Sequence, residues 1–214
     1  MMETVAVIDF ETTGLSPNDG DRATEIAAVL VKDGQIIDRY QSLMNAGVRI
    51  PAFITQLTGI TDTMIRQAPP AAEVMRAVSD FVGDHPLVAH NASFDSRFWD
   101  AELKRIQRRR PQEFACSMLV ARRLFPQAPN HKLGGLVEYA GLPMTGRYHR
   151  ALADAEMAAH LLIHMEHELQ RRYPCCTVSH ELLRHLQKAK KHQLDQCVAR
   201  HHQQPASLPK AMRD

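Results

Sequence analysis

Cysteine is scarce in this 214-residue chain: Cys116, the adjacent Cys175 and Cys176, and Cys197. No C-x-x-C pair is present, so neither a disulfide framework nor a zinc site is expected, and reduced thiols in a cytoplasmic protein are the plain expectation. No apolar run approaches the ~18–20 residues that a membrane span needs. The opening "MMETVAVIDF" has no basic stretch and no small-residue cleavage site, so no signal peptide is expected there. Internal repeats and low-complexity linkers are absent as well. The apolar fraction of 44% and charged fraction of 23% then describe an ordinary globular chain, long enough for one α/β domain plus an extension.

Charge is unevenly spread. From Arg171 onward there are nine Lys/Arg against three Asp/Glu, a balance of +6 within a whole-chain charge of +2, which leaves −4 on residues 1–170. An acidic body with a basic, His-rich tail suits clustered carboxylates and an anionic partner, although charged tails are more often simply solvated.

Residues 4–11 read as a strand, and "TEIAAVLVKDGQIIDRYQSLM" as two strands turning at Asp33-Gly34. The stretch containing Pro51 and Gly59 reads as irregular. "APPAAEVMRAVSDFVGD" is helical, with Val74, Ala77, Val78 and Phe81 at i, i+3, i+4, i+7. "PLVAH" is a short buried strand, and Asn91 or Ser93 caps the helix that follows. "FACSMLVARRLF" reads as strand then helix, "KLGGLVEYAGL" as a helix ending at Gly141, and "ALADAEMAAHLLIHMEHELQRR" as a long closing helix. Early strands followed by strand–helix alternation predict an α/β fold with a mixed sheet. The domain is expected over residues 1–173. Residues 174–214 are expected to form a basic helical extension with a frayed end, carrying Leu182, Leu183, Leu186, Leu194 and Cys197 at roughly helical spacing.

The first strand ends in "VIDFETTG". Asp9 and Glu11 stand two residues apart, so they share one face with side chains only ~7 Å apart. Two like charges there repel and lose hydration unless a cation lies between them. Asp95 falls near a helix start, where a carboxylate is favoured. Asp154 heads an apolar stripe (Ala158, Leu161, Met165) of the closing helix, and a carboxylate so placed needs a cation or a hydrogen-bond donor. His149 reaches the same site only from the loop before that helix, where it is suited to proton transfer. His160, His164 and His167 share another face with Glu156 and Ala153, expected to be solvated rather than a metal site. Four carboxylates match two divalent cations, Mg²⁺ or Mn²⁺, which at ~3.5–4 Å separation serve phosphoryl transfer.

Three motifs in this order resemble the DnaQ-like (DEDDh) 3′–5′ exonucleases, the group of the proofreading subunit of the bacterial replicative polymerase. "VIDFETTG" is similar to the first, "LVAHNASFD" to the second and "HRALADA" to the third, with His149 and Asp154 at the spacing of the His-containing subfamily. "LTGIT" and "NHKLGGLVEYAGL" resemble further segments of that family. The resemblance implies a ribonuclease-H-like fold, a central mixed sheet flanked by helices. It also implies that Asp9, Glu11 and Asp154 ligate the tighter cation, that Asp9 bridges to the second, that Asp95 acts largely through water, and that His149 is the general base. By the same resemblance Leu15 and Leu57 wedge against terminal bases, while Thr12, Thr13, His90, Asn91 and Phe94 line the nucleotide pocket. The implied activity is release of nucleoside 5′-monophosphates from single-stranded DNA 3′ ends. RNA trimming and a silent nucleic-acid-binding or scaffolding module are the alternatives. For the tail, phosphate contacts compete with docking of a second copy or a protein partner. No glutamine-rich linker or clear clamp-binding peptide follows the domain, so a proofreading-subunit role is not supported.

Overall fold

Alternation along the first strand sends two apolar rows to opposite faces of one sheet. In the computed structural model, which describes residues 3–144, 146, 149–174 and 177–203, β1 (Val5–Thr12) pairs antiparallel with β2 (Ala23–Lys32). β2 turns at Asp33-Gly34 into β3 (Gln35–Leu43). Both turn residues have positive φ, 49° and 74°, the geometry of a two-residue hairpin. β4 (Leu87–Ala89) and β5 (Phe114–Cys116) add in parallel beyond β1, so the sheet order is β3-β2-β1-β4-β5. The expected mixed sheet is present.

Val5, Val7, Ala27 and Val29 face α7 (Ala151–Arg172), which crosses β1 and β2. Ala6, Ile8, Phe10, Ile26 and Ala28 face α3 (Ala71–Val82) and α4 (Ala92–Arg105), where Phe98 and Trp99 are the largest buried side chains. The stretch expected to be irregular instead holds α1 (Ala52–Thr58) and α2 (Asp62–Gln67). Gly59 ends α1 at φ 76°, and the Thr61 side chain caps α2 by accepting the Met64 N–H at 3.2 Å. Helices of seven and six residues span too little to display a 3.6-residue period.

α5 (Ser117–Leu124) and α6 (Leu133–Tyr139) complete the α7 side. The tail forms two helices, α8 (His180–Lys188) and α9 (Leu194–Gln203), and the expected boundary at 173/174 marks no break in packing. Leu182, Leu183 and Leu186 share a core with Ala115 of β5 and with Val120, Ala121 and Leu124 of α5. The Gln187 Oε1 accepts the Cys116 N–H at 2.6 Å, and the His180 Nε2–H donates to the Leu87 carbonyl at 2.8 Å. The leucine face that could have received a partner is therefore spent on the body, because the edge strand β5 needs cover. Of the frayed end expected from Gln203, that residue closes α9, whereas residues 204–214, like Cys175 and Cys176, lie outside the described residues. Among the described residues no helix is long and apolar enough to cross a membrane.

One buried ion pair fastens α4 to the start of β2. Arg22 donates twice to Glu102, at 2.7 and 2.9 Å, and once to the Ala46 carbonyl at 3.0 Å. Glu102 is 2% exposed. Removing one partner of such a pair typically costs ~3–5 kcal/mol. Glu102→Ala should therefore lower the urea midpoint by the equivalent of about 3 kcal/mol. A midpoint equal to that of the native chain would refute this role.

Candidate active site

The row Val5, Val7 continues along β1 into Asp9 and Glu11, on the face covered by α7. Ala27 stands opposite Asp9 and Glu25 opposite Glu11. The small alanine leaves room over Asp9. Asp154 projects from the first turn of α7, and Asp95 from the first turn of α4. The Asp95 Oδ1 accepts the Phe10 N–H at 3.2 Å, so this carboxylate is tied directly to β1. The chain leaves β4 for α4 through Asn91 in the left-handed conformation, φ 69°, which brings the N-terminus of α4 beside the end of β1.

His149 also has positive φ, 61°, immediately before α7. Its backbone N–H donates to the Asp154 Oδ2 at 3.1 Å. The other oxygen, Asp154 Oδ1, is buried and has no hydrogen-bond partner. Ligand atoms of Glu11, His149 and Asp154 lie within 4.8 Å of one another, and among the described residues no other such group of His, Cys, Asp or Glu occurs. His160, His164 and His167 stand further along α7. Their face is less solvated than expected, however: His164 stacks on Phe125 at 5.5 Å and Ala153 is buried.

The carboxylates oppose one another electrostatically. Burial, with Asp154 and Glu25 nearby, pushes Glu11 up to about 8 despite the Arg150 guanidinium. Burial and the charges of Asp95, Asp154 and Glu11 raise Asp9 well above its ordinary range. Burial raises Asp95 and Asp154 too, against the hydrogen bonds each accepts. An all-oxygen donor set that repels itself and keeps one buried oxygen unpaired fits divalent cations. Asp9, Glu11, Asp95 and Asp154 are the residues that could hold them.

These groups line a cleft of about 540 Å³, with Phe10, Thr12, Gly14, Leu15, Phe53, Ile54, Leu57, His90, Asn91, Phe94 and His149. A family model described as exonuclease (RNase_T) matches residues 6–162. The chain belongs to this exonuclease family. Its fold is ribonuclease-H-like, a mixed sheet flanked by helices, and exonucleases of the DEDDh type use divalent metals. It is 42% identical to a PolC-type DNA polymerase III of Bacillus cereus over 164 residues, and 39% identical to that of Bacillus subtilis over 165. Each match covers 76% of this chain, which spans about 11% of the length of either polymerase. Exonuclease X in complex with 5′ overhanging duplex DNA is similar in structure, with TM-score 0.68, 28% identity, and coverage of 86% of this chain and 99% of that one. The nuclease domain of 3′hExo, a DEDDh member bound to rAMP, shares the fold at TM-score 0.67 and 22% identity, over 77% of this chain and 92% of that one.

Of the nucleotide-contact residues expected in this exonuclease, Thr12, Leu15, Leu57, His90, Asn91 and Phe94 line the cleft. Thr13 stands outside this lining. A bulge between Glu11 and Thr12 shifts the alternation, and the Thr13 hydroxyl faces Asp21 at 3.2 Å and the Arg22 N–H at 3.0 Å. Asp21 also accepts the Ser16 N–H, so close to Gly14 that a Cβ there would lie 2.3 Å from its carboxylate. His90 lines the cleft with both ring nitrogens already used, by Ser117 Oγ at 2.9 Å and the His131 carbonyl at 3.0 Å. Burial lowers it to about 4, so the ring is neutral.

Sequence reasoning missed three residues. Glu25, fully buried, receives two bonds from Arg150 (2.8 and 3.0 Å) and the Ala151 N–H at 3.1 Å, anchoring the N-terminus of α7 beside the site. Arg150 supplies positive charge to Glu11. Phe53 stands 63% exposed at the cleft. Only the β1–β2 register could have exposed Glu25, since it places that residue opposite Glu11.

Proposed function

We propose that this exonuclease releases nucleoside 5′-monophosphates from 3′ ends of single-stranded DNA. In this reading Asp9, Glu11, Asp95 and Asp154 hold two divalent cations, Mg²⁺ or Mn²⁺, and His149 is the general base. The observation that carries it is the convergence of four carboxylates on one cleft with a buried Asp154 oxygen left unpaired. When bound, such cations stabilise the charge that builds on the attacking and leaving oxygens of phosphodiester hydrolysis.

The chain's own groups orient the reaction. The His149 N–H bond to Asp154 holds the loop so that the imidazole stands at the carboxylate cluster, where it takes a proton from the attacking water. Asp95, tied to the Phe10 amide, fixes the far side of the cluster. Leu15, 79% exposed, and Leu57, 47% exposed, offer apolar surface to unstacked terminal bases. The names of the two Bacillus relatives and of the DNA-bound neighbour favour DNA over RNA.

Paired labelled DNA and RNA oligonucleotides, incubated with Mg²⁺, test the reading. Stepwise shortening of DNA from its 3′ end is the expected result. Hydrolysis of RNA alone would select the exoribonuclease alternative. Degradation of a 3′-blocked strand or of a single-stranded circle would refute the exonuclease polarity, and no hydrolysis of either polymer would favour the silent module.

Phe53, one helical turn before Leu57, adds an aromatic face to the same wall. Stacking on an aromatic ring is worth ~1–3 kcal/mol per base. Phe53→Ala should therefore raise KM about tenfold with kcat nearly unchanged. An unchanged KM would remove Phe53 from the substrate path.

A further inference from the structure

The C-terminal edge of the sheet leads from the cleft to a second concavity. Asn91 lines both the cleft and a neighbouring hollow formed with Ser93, Ser96, Met118, Leu119 and Gln187. Gln187, pinned by the Cys116 N–H, is followed directly by Lys188. From there a third hollow of about 390 Å³ opens between α8 and α9, lined by His185, Lys188, Lys190, Gln193, Arg200 and His201 among others.

The charge in that hollow is of one sign. Residues 180–203, the two helices and their turn, hold five Lys/Arg and two carboxylates: Glu181, which lies near His201, and Asp195. Asp195 is turned to the Tyr173 hydroxyl, and Arg184 is spent on Glu113. Among the described residues no ion pair reaches Lys188, Lys190 or Arg200, and no carboxylate lines the hollow. The hollow is also held in shape. Arg123 on α5 donates to the Ala189 carbonyl at 2.9 Å, and His201 bridges His185 Nδ1 and Ser179 Oγ, each at 3.3 Å. Unneutralised cations on a braced turn favour an anion, and cationic grooves of this kind track nucleic-acid backbones.

We propose that the α8–α9 hollow binds the phosphodiester backbone of the single strand upstream of the 3′ end seated in the cleft. The inference rests on the nucleic-acid reading of the cleft. Two strand spacings separate β1 from β5, and one packed helix lies beyond, so the path is about 20 Å. That distance takes up roughly six stacked nucleotides at ~3.4 Å each. Short substrates should therefore never reach the hollow, whereas long ones should. The site lies away from the scissile bond, so it should act on binding rather than on the chemical step.

The test is equilibrium binding in EDTA, which separates affinity from hydrolysis. Fluorescence anisotropy is read for a single-stranded twenty-mer and a trimer, with the native chain and the K188Q/K190Q/R200Q variant, across a salt series. The variant should bind the twenty-mer about tenfold more weakly, with a log–log salt slope shallower by about 2, since each phosphate contact on a single strand contributes ~0.7. Its trimer affinity and its kcat in Mg²⁺ should match the native values. Unchanged twenty-mer affinity and slope, or an equal loss for the trimer, would overturn the proposal. Calorimetry with inorganic phosphate and a nucleoside monophosphate distinguishes the source of the anion. Saturation by either at micromolar concentration, lost in the variant, would assign the hollow to a free anion and overturn the strand site. A native chain that binds the twenty-mer through the hollow yet hydrolyses nothing would sink the nuclease reading alone.

Discussion

Asp154→Asn should reduce hydrolysis in Mg²⁺ by at least about a thousandfold, because it removes one of the charges expected to hold the cations together with their clamp on the reacting phosphate. Asp9→Asn should do the same. Either variant should at the same time be more stable than the native chain in EDTA. Asp9, Glu11, Asp95 and Asp154 all have raised pKa values through burial and mutual repulsion, with Glu11 near 8. A carboxyl that holds its proton more tightly when folded contributes stability at low pH and loses it as pH rises through the folded value. In chelator, the native melting temperature should therefore fall as pH rises from about 5 to about 8. Added Mg²⁺ should reverse the fall, and the asparagine variants should show less of it. Residual activity above a tenth of native would defeat the ligand assignment. A melting temperature that does not fall with pH in EDTA would show that the carboxylates are neutralised by something within the chain.

His149→Ala is expected to slow hydrolysis by ~10²–10⁴-fold, the usual loss when a positioned general base is removed, with little change in KM. Its backbone amide, which holds Asp154 Oδ2, is retained in the variant. A purely structural role for the side chain would therefore leave the rate almost intact. Added imidazole supplies a diffusible base and should restore part of the rate to the alanine variant but none to Asp154→Asn. A rate within threefold of native, or the absence of any imidazole response, would point to another base.

Much of this site could be read one residue at a time. Asp9 and Glu11 lie two apart on a strand, and period 2 alone places them on one face whatever the rest of the chain does. Asp33-Gly34 identifies its own hairpin, and the long apolar periodicity of α7 locates Asp154 in its first turn. The five-residue gap from His149 to Asp154 then confines the histidine to the preceding loop. These are local properties, and the three motifs that carry them identify the family in the order in which they occur.

Other features depend on partners distant in sequence. Glu25 looks like one more charge on an amphipathic strand until pairing sets it against Glu11 and under the N-terminus of α7. Thr13 is adjacent to a motif, yet the bulge after Glu11 turns its hydroxyl to Asp21. The leucines of α8 advertise an apolar face without saying what covers it, and the bare edge of β5 takes it. The cation hollow exists because Arg123 and the His185–His201 contact brace a turn whose lysines would otherwise read as solvated charge. Local spacing determined the strand that carries the first carboxylates, the helix that brings Asp154 and the chemistry those groups can perform. Which charges are buried, which apolar face is used up and which cations gather in one hollow were decided by long-range pairing and packing, because burial and neutralisation belong to contacts between elements rather than to any single one.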